Sequence, residues 1–219
     1  MQKAQYFTEV NIQEISKELL EGITPKYREK SKKNMGKSAL LVLDMQEYFL
    51  NKSSHAFVPS APHIVPQIIQ LMKSFCANNQ SIYLTKHTNT PTDAKMMNNW
   101  WGDLLSPDSS LSIIIPLLSN FDVPVLNKTQ YDAFYQTHLE EFLLKQGVEQ
   151  IILTGVMTHL CLETTARSAF VRGFSVIIPV DATATYNLEY HRASMINLSH
   201  GFAQITSTSV ILEDLDQAI

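Results

Sequence analysis

Two hydrophobic rhythms alternate along this chain. Short unbroken apolar runs occur at 39–43 (ALLVL), 81–85 (SIYLT), 122–126 (DVPVL), 150–154 (QIILT), 175–180 (SVIIPV) and 202–206 (FAQIT). Continuous runs of this length suit strands buried on both faces of a parallel sheet. Between them the apolar residues follow helical spacing. Residues 61–79 place Ile64, Ile68, Leu71, Met72 and Phe75 on one stripe. Residues 136–146, 158–172 and 188–200 read as helices ended by Gly147, Gly173 and Gly201. Strands alternating with helices predict an α/β fold, a three-layer α/β/α sandwich around a six-stranded parallel, Rossmann-like sheet with right-handed crossovers.

The first 37 residues stand outside this alternation. Residues 8–22 predict a short amphipathic helix, with Thr8 as its cap and Ile12, Ile15, Leu19 and Leu20 on its apolar side. It is expected to dock on the main domain or on a partner subunit. Gly22, Pro25 and a basic run (Lys26, Arg28, Lys30, Lys32, Lys33, Lys37) follow as a linker. The chain thus divides into an extension, 1–37, and a domain, 38–219.

Composition narrows the function. The chain has 219 residues, a net charge of −4 and two cysteines, Cys76 and Cys161. Residues 1–37 carry 8 basic and 5 acidic residues, while 38–219 carry 9 basic and 16 acidic. An acidic domain lacks the basic footprint of a nucleic-acid binder. No run is long enough to span a bilayer, and no apolar leader segment opens the chain. Two cysteines make no disulfide framework, so the expected compartment is the reducing cytosol.

In a sheet of this kind ligands bind beyond the carboxyl ends of the strands. Three reactive side chains follow strands there. Asp44 ends the first, Lys128 lies near the end of the third, and Cys161 falls in the first turn of the helix after the fourth. A carboxylate directly after five apolar residues is costly unless paired or working. A lysine beside it would hold it ionised. A thiol three residues after Thr158, a potential N-cap, would sit in a field that lowers its pKa. Cys161 should then alkylate faster than Cys76, a mid-helix thiol. Read singly, Asp44 could be a cap, Lys128 a surface lysine and Cys161 a small buried hydrophobe; their joint placement favours a site. Trp100, Trp101, Tyr131 and Phe134 are candidates for a pocket wall. The 88–121 connection is long enough to be a lid or binding loop.

Three segments, LLVLDMQEYFL (40–50), NKTQYDAF (127–134) and TGVMTHLCLETTARSAFVRGFSVIIPVDATAT (154–185), closely resemble the isochorismatase-like cysteine hydrolases, in order, over about residues 38–212. The resemblance implies that family's fold, with Asp44 as base, Lys128 as orienting cation and Cys161 as nucleophile. It implies a cis peptide at Val156–Met157 and an oxyanion hole from the backbone N–H groups of Met157 and Cys161. His87, Trp101, Tyr131, Phe134 and His159 are the expected substrate-binding residues, and Arg167 is a further group that could meet an acidic substrate. The expected activity is hydrolysis of a small carboxamide through a thioester, with no cofactor, in a dimer or tetramer. The nicotinamidase branch carries a metal on Asp-x-His after the second strand; this chain has His87-Thr88-Asn89 there, so no metal is expected, although His55, His63 and His87 could cluster. True isochorismatases typically have Gly in place of Cys161. Yet the DMQEYF run, Trp100-Trp101-Gly102, His159 and the N-terminal extension look isochorismatase-like, so cleavage of isochorismate to 2,3-dihydro-2,3-dihydroxybenzoate and pyruvate through Asp44 is one alternative. A non-catalytic binding protein is the other.

Overall fold

The computed structural model describes residues 2–23 and 35–217. Its centre is fixed by the two strands with most to hide. Strand β1 (Ser38–Leu43) and strand β4 (Gln150–Val156) are buried along their whole length. They pair with each other, Leu41 opposite Leu153. Outward from them lie β2 (Ser81–His87) and then β3 (Val125–Lys128) on one side, and β5 (Ser175–Pro179) and then β7 (Gln204–Thr206) on the other. The two-residue strand β6 (Thr183–Ala184) also pairs with β4. Every ladder is parallel, so the expected α/β sheet is present, with this short strand added.

Helices cover both faces of the sheet. Helix α3 (Ala61–Ala77), which follows a four-residue helix α2 (Glu47–Leu50), packs its stripe of Ile64, Ile68, Leu71, Met72 and Phe75 against β1, β2 and β4. The 88–121 connection folds into α4 (Met96–Trp101) and α5 (Pro116–Ser119). Helix α6 (Leu139–Lys145) precedes β4, and α7 (Glu163–Val171) packs on β5 and touches α8 (Leu188–Gly201). A last helix, α9 (Thr208–Asp216), touches α3.

Several boundaries differ from the pattern. The third strand begins at Val125 rather than 122, because Pro124 has no N–H to give a ladder. Lys128 is therefore the last residue of β3. The helix expected over 158–172 opens as a π-helical turn, Thr158–Leu162, and becomes α7 only at Glu163. Thr158 is not its N-cap: the hydroxyl faces Thr183 and His191 instead. Gly147 and Gly173 end α6 and α7 with positive φ, but Gly201 stays inside α8. Helix α9 and strand β6 were not anticipated.

The N-terminal segment docks on its own domain. Helix α1 (Ile12–Glu21) is preceded by a reciprocal pair, Thr8 N–H to Asn11 Oδ1 at 2.7 Å and Asn11 N–H to Thr8 Oγ1 at 3.2 Å. Tyr6, Phe7, Ile12 and Leu19 join the main core, with Phe7 fully buried. Pro25 and the basic run from Lys26 to Lys33 lie outside the described residues. Lys37 pairs with Glu149.

Candidate active site

The carboxyl edge of the sheet gathers three side chains from β1, β3 and β4. Asp44 lies one residue beyond β1, with φ of 53°, so its side chain leaves the strand direction and turns towards β2. Its Oδ1 accepts the Thr85 hydroxyl proton at 2.6 Å, and its Oδ2 lies 2.8 Å from Lys128 Nζ. Lys128 reaches over from the edge strand. Its ammonium also faces the Gln130 carbonyl at 3.0 Å, the Tyr131 carbonyl at 3.4 Å and Cys161 Sγ at 3.3 Å. Cys161 projects from the π-helical turn that follows β4 and the cis Val156–Met157 peptide. All three side chains are buried. A carboxylate, a cation and a thiol thus meet in one buried cluster, with the cation touching both others.

Burial and charge oppose each other here. Burial alone would raise the Asp44 carboxyl, but Lys128, His87 and the Thr85 hydroxyl hold it below the ordinary carboxylate value. Burial would likewise lower Lys128; Asp44 and Cys161 reverse that and raise it. Cys161 is pushed up to about 12 by burial, with Asp44 adding to the rise and Lys128 opposing it. A depressed thiol pKa, expected from the helix terminus, is therefore not found. The resting state is a carboxylate, an ammonium and a neutral thiol.

Cys161 opens onto a cavity of about 70 Å³. Its walls include Met157, His87, Asn89, Trp101 and Tyr131, with Trp101 Nε1–H donating to Tyr131 Oη at 2.7 Å. Residues 97–105 supply one side, so the 88–121 connection does form part of the wall. His87 is neutral at physiological pH: burial and the nearby Lys128 lower it to about 4. The cavity lining holds no lysine or arginine and one carboxylate, Asp103, paired with His55 at 3.1 Å.

Residues 38–210 match the Isochorismatase domain family model. The chain belongs to the isochorismatase family. It is a hydrolase of the isochorismatase-like type. Nicotinamidase 3 of Arabidopsis thaliana is 36% identical over 183 residues, covering 81% of this chain and 88% of the relative. Isochorismatase of Bacillus subtilis is 29% identical over 191 residues, covering 83% of this chain and 59% of that protein. A cysteine hydrolase from Pseudomonas syringae pv. phaseolicola superposes with a TM-score of 0.83 at 24% identity, over 87% of this chain and 97% of that one, which shows the shared fold.

Within this family frame, not every expected residue reaches the cavity. Phe134 belongs to the core instead, stacked on Phe174 at 6.0 Å, because Asp132 caps a turn that swings it beneath α7. His159 lies outside the cavity lining, stacked on Tyr190 at 4.6 Å with Nδ1 facing Thr185. Trp100 is 76% exposed, and Arg167 pairs with Glu163 at 2.7 Å and lies over Phe202. The histidines do not cluster: His55 faces Tyr48 and Asp103, His63 faces Gln5, and His87 faces Asn89. Among the described residues no three His, Cys, Asp or Glu side chains are placed to hold a metal ion. The place of the second metal ligand is unsuited to it, since Asn89 spends its amide on Thr129, Asp93 and His87.

Gln46, Tyr48 and Tyr186 join the site beyond the residues expected from the sequence: Tyr48 and Tyr186 line the cavity, and Gln46 supports His87. Gln46 is fully buried and clamps His87 by both backbone groups, N–H to Oε1 at 2.8 Å and Nε2 to O at 3.0 Å. An amide two residues past Asp44, at the carboxyl end of a fully buried strand, is the available signal.

Proposed function

We propose that this hydrolase cleaves the C–N bond of a small uncharged carboxamide, with Cys161 as nucleophile, Asp44 as base and then acid, and Lys128 as the cation that orients both. The observation that carries the reading is the buried contact of Lys128 Nζ with both Asp44 Oδ2 and Cys161 Sγ, beside a cavity that Cys161 lines. Asp44 takes the Sγ proton as sulfur attacks the carbonyl carbon. The new oxyanion is held by the backbone N–H groups of Met157 and Cys161. Collapse breaks the C–N bond, and Asp44 returns its proton to the departing nitrogen. Water, activated by Asp44, then cleaves the thioester and releases the acid. His87, Trp101 and Tyr131 would bound the substrate.

Isochorismate hydrolysis through Asp44 is the weaker reading. That substrate is a dianion, whereas the cavity lining presents the Asp103 carboxylate, and of the two nearby ammonium groups Lys128 is already paired with Asp44 and Lys3 lies at the mouth on Tyr186 and His55. The activity of the Arabidopsis relative makes nicotinamide the first probe. Cys161→Ala should remove turnover of nicotinamide, and of any other amide the wild type hydrolyses, by at least about 10³-fold while leaving the fold intact. Unchanged turnover would reject the thiol route in favour of Asp44 alone. Mass spectrometry should detect an acyl adduct on Cys161 during turnover. We further infer a homo-oligomer, dimer or tetramer, in the reducing cytosol; the exposed Met96 and Trp100 on α4 support the first, and light scattering tests it.

A further inference from the structure

The family match begins at residue 38, yet the segment before it reaches the active site at two points. The first is at the mouth of the cavity. Lys3 Nζ lies over the Tyr186 ring at 4.4 Å and donates to the His55 carbonyl, and Ala4 N–H donates to the Tyr186 carbonyl at 2.8 Å. Both Tyr186 and His55 line the cavity.

The second point lies behind the nucleophile. Tyr6 is buried, and its backbone N–H and that of Phe7 both donate to Ser60 Oγ, at 2.9 and 3.1 Å. The Tyr6 phenol accepts the Thr185 N–H at 3.0 Å and lies 3.1 Å from His191 Nδ1. His191 Nδ1 is in turn 3.2 Å from Thr158 Oγ1. Thr158 Oγ1 lies 2.9 Å from Thr183 Oγ1, whose hydroxyl donates to the Gly155 carbonyl at 2.7 Å. Thr158, Thr183, Thr185 and His191 are all buried, and the π-helical turn that begins at Thr158 presents Cys161.

We propose that Tyr6, acting through His191 and Thr158, is a positioning residue for the turn that carries Cys161 and the oxyanion-binding N–H groups, so that the N-terminal extension completes the active site. This rests on the acyl-transfer reading above. The network touches neither Asp44 nor Lys128 directly. It braces the backbone between Met157 and Cys161 and leaves the thiol's own charge partners in place. Its neutrality is built in, since burial lowers His191 to about 3. A buried polar network of this kind stiffens the backbone that carries it. Displacing an oxyanion donor costs up to about 10²–10³ in rate, so loosening the brace should cost about tenfold.

The test separates acyl transfer from thiol chemistry. The probes are p-nitrophenyl acetate, whose acetyl transfer to Cys161 needs the oxyanion site, and iodoacetamide, whose displacement reaction does not. Tyr6→Phe should slow the p-nitrophenolate burst about tenfold and change Cys161 alkylation by less than twofold. Thr158→Val should do the same, and Thr158→Ser, which keeps the hydroxyl, should restore the burst; this pair decides the matter should Tyr6→Phe fail to fold. Equal loss of both rates, or no loss of burst in either Tyr6→Phe or Thr158→Val, overturns the proposal. If the wild type gives no Cys161-dependent burst at all while Cys161 still alkylates, the acyl-transfer reading itself fails, and this proposal with it.

Discussion

Replacing Lys128 with methionine tests the core of the site directly. The change keeps most of the stem and removes the charge, leaving the Asp44 carboxylate fully buried with neutral partners, the Thr85 hydroxyl and the Cys161 thiol. At the 2.8 Å separation of Lys128 Nζ and Asp44 Oδ2, the lost attraction is roughly 6 kcal/mol at an effective dielectric of about 20. Water entry and protonation of Asp44 recover part of that, so the expected loss of stability at neutral pH is about 3–5 kcal/mol. The pH dependence fixes the cause. In the wild type Asp44 titrates below its unfolded value, so its contribution is present above that value and is lost as the pH falls through the folded pKa. In the variant only burial and weaker partners act, and the folded pKa rises above the unfolded one. Stability is then fullest below the unfolded pKa and is lost as the pH climbs through the folded pKa. The gap between wild type and Lys128→Met should therefore narrow as pH is lowered. Urea unfolding followed by fluorescence across a pH series measures this. The double variant Asp44→Asn/Lys128→Met should recover much of the stability while staying inactive. A loss below about 1 kcal/mol, or a gap that does not change with pH, would refute the reasoning.

Three further outcomes follow from the same geometry. The kcat/KM profile should be flat from about pH 5 to 8, because Asp44 titrates below the ordinary carboxylate value and His87 at about 4; an inflection near neutral pH would contradict this. Gly155→Ala should abolish soluble folding or cost at least about 3 kcal/mol, since φ is +100° and a Cβ there would lie 2.1 Å from the Leu43 carbonyl oxygen, just before Asp44; soluble yield and urea unfolding read it. Iodoacetamide should modify exposed Cys76 faster than buried Cys161, the reverse of the order expected from the sequence; peptide mapping over time reads both rates.

Much of the architecture was legible because it depends on period. The buried runs of β1, β4 and β5 and the stripe on α3 each carry enough apolar residues to declare themselves. Asp44 was legible for a related reason, since a carboxylate at the end of a buried strand is expensive, and Cys161 from its place at the start of the segment after the fourth strand, because the fold brings these strand ends together. What a period does not give is the partner of a side chain. Phe134 follows Lys128 by six residues, yet a turn capped by Asp132 sends it to Phe174 rather than to the cavity. Gln46 looks like any surface glutamine until the backbone of His87 closes on it. Tyr6 and His191 are 185 residues apart, and no local pattern announces their contact.

The thiol shows why a field argument from sequence can have the wrong sign. Placing Cys161 near a helix start suggested a lowered pKa, because partial positive charge gathers on unpaired N–H groups there. Two larger effects outweigh that field. Cys161 is buried, and its neighbourhood already contains a carboxylate that Lys128 keeps ionised. A second anion beside Asp44 is unfavourable, and one ammonium does not neutralise two. The proton therefore stays on sulfur at rest. Moving it to Asp44 becomes favourable only when the negative charge can leave sulfur at once, through the forming S–C bond and onto a carbonyl oxygen held outside the Asp44–Lys128 pair. Under the proposed acyl-transfer route, deprotonation and attack are then one event triggered by a bound carbonyl. In the mechanism proposed above, such a site would keep the Cys161 thiol protected from adventitious electrophiles and depend all the more on the backbone turn proposed to receive the charge.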